Sequence, residues 1–548
     1  MFASTRRLAA QSAVPSSRDG AHTLALWPIA IFVGIVTGYA VLGFRYLIIS
    51  IENFVYGAGG FDLHSHAATL EWWHLVLVPI VGGLIVGQIV TRLAPSRRAR
   101  GIDEVIEAAA LKGGIVGKRQ GIASALAALV TLSTGGSTGR EGPAVHIGAV
   151  IASWVSRQIN AAPISARDIL GCAAAAAVSA SFNAPLAGAI FALEVVLRHY
   201  ALHSFGPIVA ASVASAVVSR IYLGDFAQFT LPAHTIAFYW EMPAFMILGI
   251  VCGLVGVIFI RTLFLAERVA DRVQAAVRLP DSLRPAVAGL FLGLIATQFP
   301  HIIGVGYETT AEALLAEIGI ITAIVFTVVK VGAAAITYAG RMGGGVFSPS
   351  IMIGAMTGAA FGELATGVFP MVSGAVGLYA FAGMGAVAAA VLGAPISSTL
   401  IVFELTGDYQ AAIAVMISVS LACAVARKFV HRSFFLTQLE RRGLHLSDGP
   451  QGYLATTMRA KHLMRPRGAE NCAPDSGCWE LVAQGAALGP EDTLDRALPM
   501  FEQLRGPYLP VVQSKGPDDR DLLGALYHVD ALRAYNRRLE EELREEHA

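Results

Sequence analysis

Glu141 stands in Gly135-Gly136-Ser137-Thr138-Gly139-Arg140-Glu141-Gly142-Pro143, a glycine-rich turn that opens into an apolar stretch. Glycine lets backbone amides approach a ligand closely, and the first turn of a helix leaves its N–H groups without intrahelical acceptors. Such a turn favours an anion. A carboxylate in the same turn competes with that anion for the same donors, and protonation ends the competition. The pattern predicts an anion site whose gate is a proton-sensitive glutamate. Gly345-Val346-Phe347-Ser348-Pro349 repeats the construction, flexible backbone before a proline-started helix, which makes the amides of Val346 and Phe347 candidate donors.

The elements that must position these turns are apolar. Hydrophobic residues make up 55% of the chain and charged ones 14%, against about 45–50% and about 25% in soluble domains. An all-α polytopic membrane protein is expected from these proportions. Clean spans fall at 26–49, 75–93, 245–264 and 320–338, each long enough for a bilayer. Shorter apolar pieces, 121–132, 143–154, 185–197, 349–361 and 395–405, read as broken helices, several of them started by proline. Non-helical backbone at membrane depth is tolerated only where protein or a water-filled cavity surrounds it.

An internal repeat organises these pieces. Pro143-Ala-Val-His-Ile-Gly-Ala149 resembles Pro349-Ser-Ile-Met-Ile-Gly-Ala355, and Asn183-Ala-Pro-Leu-Ala-Gly-Ala-Ile-Phe-Ala-Leu-Glu194 resembles Gly393-Ala-Pro-Ile-Ser-Ser-Thr-Leu-Ile-Val-Phe-Glu404. The paired prolines are 206 residues apart (143 and 349) and 210 apart (185 and 395). Duplicated halves with paired broken helices predict a transporter whose site lies between the repeats near the midplane. The halves are placed at about 24–222 and 240–440, within a membrane domain at 24–440 that follows a cytoplasmic tail, 1–23.

Gly139-Arg140-Glu141-Gly142-Pro143, Gly345-Val346-Phe347-Ser348-Pro349 and Phe182-Asn183-Ala184-Pro185-Leu186-Ala187-Gly188, in this order over roughly residues 24–440, resemble the CLC family of chloride channels and chloride/proton exchangers. The resemblance implies two inverted-topology repeats and a homodimer with one pore per subunit. It also implies short helices converging their N-termini on bound chloride, and a glutamate that blocks the pore until it is protonated or displaced. Glu141 is matched to that gate, and Gly139, Arg140, Gly142, Val346 and Phe347 to the anion site. Arg140 is expected to fix the loop or shape the field rather than to bind chloride directly. The repeat symmetry of Glu194 and Glu404 favours a shared structural role, and His146 reads as a satisfied buried histidine.

Three positions depart from the family pattern. Where the family has Gly-Ser-Gly-Ile-Pro, this chain has Ala99-Arg100-Gly101-Ile102-Asp103, so the serine hydroxyl offered to the central chloride is replaced by Arg100. Arg100 either continues the basic loop in water or concentrates chloride at a vestibule. The tyrosine expected near the end of the last membrane helix is matched by Phe435, which keeps the ring and loses the hydroxyl. Arg100, Gly101, Ile102 and Phe435 are thus pore-lining candidates beside a central anion held chiefly by backbone amides. The cytoplasm-side glutamate of many exchangers is replaced by Val195, and a hydrocarbon relays no proton. The expectation is channel-like or weakly proton-coupled transport of chloride and similar monovalent anions, with chloride/proton antiport by another route as the alternative.

Residues 441–548 have soluble composition, and Tyr453–Tyr535 resembles a single CBS motif, an α+β module that works in pairs. A homodimer would complete the pair, either as a nucleotide site or as docking without a ligand. Residues 537–546 read as a charged terminal helix. Basic clusters at Arg6-Arg7, Arg97-Arg98-Arg100, Lys112 with Lys118-Arg119, and Arg427-Lys428 place both termini in the cytoplasm by the positive-inside rule. A bacterial inner membrane is the expected location. A net charge of +1 points to no nucleic-acid partner. Five cysteines make no disulfide framework, and the spacing of Cys472 and Cys478 matches no strong zinc pattern, so no metal site and no required cofactor are expected. No HExxH run and no Gly-x-Ser-x-Gly elbow in strand context speaks for an enzyme.

Overall fold

The computed structural model describes residues 16–547 except 162, 201, 225–237, 371–373, 407–408, 445, 447–454, 456–457, 470, 505 and 515–519. The N-terminal tail ahead of residue 16 lies outside the described residues. The chain divides into two compact units, one running to Arg441 apart from Arg198–His203, the other holding that short stretch and the residues from Arg442 onward.

The first unit is helical, and its helices come in corresponding series. Helices α1 (Ser16–Tyr56), α2 (Leu63–Ala67), α3 (Trp72–Leu93), α4 (Ile102–Leu111), α5 (Lys118–Ser133), α6 (Glu141–Gln158), α7 (Pro163–Phe182), α8 (Pro185–Phe191) and α9 (Leu202–Leu223) make the first half. The second half holds α10 (Phe238–Val277), α11 (Arg284–Ala296), α12 (Tyr307–Leu314), α13 (Ile320–Ala339), α14 (Phe347–Val368), α15 (Val376–Leu392), α16 (Pro395–Thr406), α17 (Tyr409–Phe429) and the short α18 (Phe434–Glu440). The packing repeats as the order does: α6 lies on α7 as α14 lies on α15. Helices α3 and α11, which correspond, pack on each other across the halves, as do α8 and α16.

Among the described residues seven helices are long and apolar enough to cross a membrane. Two readings of length need correction. The piece expected at 349–361 is the 22-residue α14, and that at 143–154 is the 18-residue α6. Pro143 and Pro349 sit in the first turn, where proline breaks no bond, and the polar residues beyond Phe361 and Trp154 continue the helix without a breaker. The Pro185 and Pro395 pieces are short: α8 passes into a π-helical segment, Ala192–Leu197, and α16 has 12 residues.

Glycine and alanine make close packing possible. A Cβ on Gly358 would lie 2.1 Å from the Tyr379 carbonyl oxygen, and one on Gly289 would lie 2.1 Å from that of Pro79. Without a hydrophobic drive between helices in lipid, such backbone approach carries the association.

The second unit is a small α+β body. Helices α19 (Ala460–Leu463), α20 (Asp475–Ala483), α21 (Leu494–Leu504) and α22 (His528–His547) accompany β1 (Arg465–Pro466), β2 (Tyr508–Ser514) and β3 (Arg520–Tyr527). The sheet is antiparallel in the order β1-β3-β2, with a bulge at Val511/Val512. Its core includes Leu494, Ala497, Phe501, Leu509, Val511 and Leu526.

Candidate functional site

The two glycine turns are stitched to each other. Gly139 N–H donates to the Gly345 carbonyl at 2.8 Å and Gly345 N–H to that of Gly139 at 2.9 Å, while the Thr138 hydroxyl donates to the same Gly345 carbonyl at 2.9 Å. Gly344 sits at φ +141°, where a Cβ would strike the Thr138 side chain at 2.1 Å, so the contact demands glycine. This bridge sets the first turns of α6 and α14 side by side. It also corrects one expectation: the Gly139 amide is spent on Gly345 and is not free to hold an anion. Its missing side chain matters instead, because a Cβ there would lie 2.5 Å from a Glu141 carboxylate oxygen.

Glu141 is the first residue of α6 and 2% exposed. Its carboxylate oxygens lie 2.6 and 2.7 Å from the Ser348 hydroxyl, and the Tyr307 hydroxyl donates to one of them at 3.3 Å. Ser348 belongs to the first turn of α14, so the carboxylate occupies the space between two helix starts. The amides of Glu141 and Gly142, and of Phe347 and Ser348, fall in those first turns, where the positive end of the helix dipole also lies. Val346 and Phe347 are buried, and the Phe347 ring rests 4.9 Å from that of Phe182 in the third motif.

Two cavities reach the residues that flank Glu141 in the chain. One, of about 340 Å³, is lined by Arg45, Glu52, His64, Arg140, Tyr307 and Glu308 among others. The other, of about 80 Å³, is lined by Arg100, Gly101, Ile102, Gly142, Val346 and Phe435 among others. Arg140 lines the first and Gly142 the second, so Glu141 stands at the partition.

Around the Tyr307 cavity, Arg140 places its guanidinium 4.9 Å above the Tyr307 ring and donates to the Ser181 carbonyl at 3.2 Å. That geometry fixes the loop. The Phe435 cavity gathers all four pore-lining candidates. Arg100 is not simply in water: its side chain is 19% exposed and lies 3.7 Å from Asp103, whose other oxygen accepts from the Gly101 amide at 3.0 Å. Phe435 packs edge-on against Phe434. Val195 is not at either cavity; it is buried on the π-helical segment, against which α4 packs.

Glu194 and Glu404 have reciprocal roles. Glu404 accepts from the amides of Leu186 and Ala187 at 2.9 and 2.7 Å, and Glu194 from those of Ile396 and Ser397 at 3.0 and 2.7 Å. Each glutamate caps the short helix of the other repeat. His146 is fully buried, with Nδ1 3.1 Å from the Arg100 carbonyl and Nε2 3.4 Å from Glu104.

Sequence reasoning overlooked Ser348, Tyr307 and Lys330. Lys330, fully buried in α13, donates to the Ile302 and Gly304 carbonyls, both at 3.1 Å, and so holds the loop that leads into Tyr307. A lysine in the middle of an apolar span was itself a signal. Ser348 lay inside a quoted motif, but nothing local says that it faces Glu141.

The profile of the voltage gated chloride channel family matches residues 82–427, which contain both turns, both capping glutamates and every group in contact with Glu141. The chain belongs to this family. Among CLC relatives, a ClcB-like protein of Ralstonia nicotianae is 32% identical over 410 residues, covering 74% of this chain and 93% of that protein. Chloride channel protein CLC-f of Arabidopsis thaliana is 32% identical over 429 residues, 73% of this chain and 53% of the plant protein. The CLC fold is shared with a slow cyanobacterial Cl⁻/H⁺ antiporter, at TM-score 0.66 and 21% identity over 76% of this chain and 97% of the antiporter. It is shared equally with a eukaryotic CLC transporter, at TM-score 0.66 and 20% identity over 93% of this chain and 98% of the other.

Proposed function

We propose that this protein carries chloride and similar monovalent anions across a membrane, without enzymatic chemistry, and that Glu141 is the gate. The observation that supports this most is the partition: one carboxylate, set between the starts of α6 and α14, divides the Tyr307 cavity from the Phe435 cavity. An anion passing from one to the other must take the place of that carboxylate. Protonation removes the competing charge and the preference of the helix starts for it. Amides of Gly142, Val346 and Phe347 are the proposed ligands, with Arg140 as a positioning residue and Arg100 as a source of positive potential in the Phe435 cavity. The test is chloride efflux from liposomes across pH. Wild-type flux rises as pH falls, whereas Glu141→Gln gives flux that no longer depends on pH; a retained dependence would remove Glu141 from this role.

Chloride/proton exchange is the second reading, and one observation favours it. Although Val195 cannot relay a proton, the neighbouring α4 carries three buried acids, Asp103, Glu104 and Glu107, and Glu104 faces the buried His146. Glu104 and His146 are titratable and adjacent, and His146 shares α6 with Glu141. If a chloride gradient drives protons uphill in the same liposomes, exchange replaces passive conduction as the assignment.

We place the membrane domain at 24–440 and a cytoplasmic CBS-like module at 441–548, in a homodimer in a bacterial inner membrane with both termini in the cytoplasm. Cross-linking in membranes tests the dimer. Calorimetric titration with ATP and AMP decides whether the module takes a nucleotide or only docks; the transport reading requires no cofactor.

A further inference from the structure

Beside the Tyr307 cavity, which His64 and Glu308 line, three side chains from two helices converge. Glu308 and Glu312 are four residues apart on α12 and so share one face of it. His64 comes from α2, which packs against α12. One ligand atom from each of the three falls within 4.8 Å of the others. Their side chains are 20%, 17% and 31% exposed for His64, Glu308 and Glu312, accessible to an ion and partly withdrawn from water.

The contact between His64 and Glu308 is unusual. Nδ1 lies 2.9 Å from Oε2 of Glu308, yet Nδ1 has no hydrogen bond of acceptable geometry. Nε2 of the same ring lies 3.8 Å from Glu312, so the imidazole stands between the two carboxylates. Glu308 is held there by the His64 and Ser65 amides, which donate to it at 2.9 and 3.3 Å, and by the Ser65 hydroxyl. It is therefore a preorganised ligand.

We propose that His64, Glu308 and Glu312 form a divalent-cation site suited to Zn²⁺. An imidazole with two carboxylates is a borderline N/O donor set that suits zinc better than the all-oxygen shells of calcium or magnesium. Zinc arms of about 2.0–2.2 Å in a tetrahedron put ligand atoms roughly 3.4 Å apart, so closing the site takes about an ångström of side-chain movement, and water supplies the fourth position. A cation here ties α2 to α12. Glu308 directly follows Tyr307, whose hydroxyl reaches Glu141, so the tie holds Tyr307 against the carboxylate and slows anion passage. This effect on flux rests on the proposed gating role of Glu141; the binding does not.

The experiment is calorimetric titration of ZnCl₂ into the full-length protein in detergent, with any purification tag removed, paired with chloride efflux in liposomes with and without ZnCl₂. The expected result is one site per chain, weakened at least tenfold by His64→Ala and separately by Glu312→Gln, with no comparable binding of MgCl₂. Monodisperse elution and an unchanged melting temperature without zinc verify that both variants fold. Absence of wild-type binding, or affinity unchanged in both variants, overturns the site. Binding as expected with zinc-insensitive chloride efflux overturns the link to the gate, and failure of chloride efflux in the zinc-free wild type would reject the transport reading instead.

Discussion

The Ser348 hydroxyl lies within hydrogen-bond distance of both carboxylate oxygens of Glu141, 207 residues away in the chain. With Glu141 as the proposed gate, this contact makes the gate a joint property of the two repeats. The first supplies the charge and the second supplies the donor that holds it. Removing the hydroxyl should therefore loosen the gate without removing it.

In Ser348→Ala one hydrogen bond to a charged acceptor is lost, at about 1.5–3 kcal/mol. Chloride flux at neutral pH should rise by roughly ten- to hundredfold, since each 1.4 kcal/mol is a factor of ten in the occupancy of the blocked state. In a Glu141→Gln background the same change should add nothing further, because the charge it held is gone. Equal neutral-pH flux in Ser348→Ala and wild type would show that the hydroxyl does not restrain the carboxylate.

Arg100 and Phe435 bring no hydroxyl to the Phe435 cavity, and a central anion there should bind weakly. Phe435→Tyr should tighten chloride binding by up to about tenfold, the value of one hydrogen bond near 1–1.5 kcal/mol. Isothermal titration of chloride measures this. Wild-type affinity equal to that of serine- and tyrosine-bearing relatives would refute weak central binding.

Glu194 and Glu404 cap each other's repeat, so their loss should act on stability rather than on ion choice. Glu194→Ala or Glu404→Ala should each lower stability by about 1–2 kcal/mol, as loss of a helix cap does. The glutamine variants, which keep an acceptor, should lose less. Melting in detergent reads this directly, and chloride flux per folded protein should not change. A variant with the wild-type melting temperature but altered ion selectivity would move that glutamate from the scaffold to the pore.

His301 supplies a prediction with a pH sign. Burial, aided by the Lys330 ammonium, lowers its pKa to about 3, and its ring stacks on Phe326 at 3.5 Å. The free side chain titrates near 6.5. Between these values the unfolded chain binds a proton that the folded chain refuses, so this contribution is complete above about pH 6.5 and falls as pH drops toward 3. His301→Phe preserves the stacking and removes the titration. Its melting temperature should decline less than that of wild type between pH 6.5 and 4; parallel declines would assign the acid sensitivity elsewhere.

Much of this molecule was legible because membrane depth leaves few solutions. Apolar length marks spans, proline marks helix starts, and a duplicated Pro-Leu/Ile pattern marks the two halves. Helix ends were misjudged where a polar residue did not stop the helix, as beyond Phe361, because the helix continues wherever its backbone bonds can form.

By itself, the sequence determined that a glycine turn would start a helix with Glu141 at its head, and that a second turn of like kind existed. Those are local consequences of backbone freedom and of unpaired first-turn amides. It could not say that Gly139 would spend its amide on Gly345, that Ser348 would meet the carboxylate, or that Glu308 and Glu312 would face His64. Each joins residues more than two hundred positions apart, and such pairings depend on how the two halves pack. Only the tertiary structure decides them, because a hydrogen bond needs its partners within about 3 Å and no local preference can supply that distance.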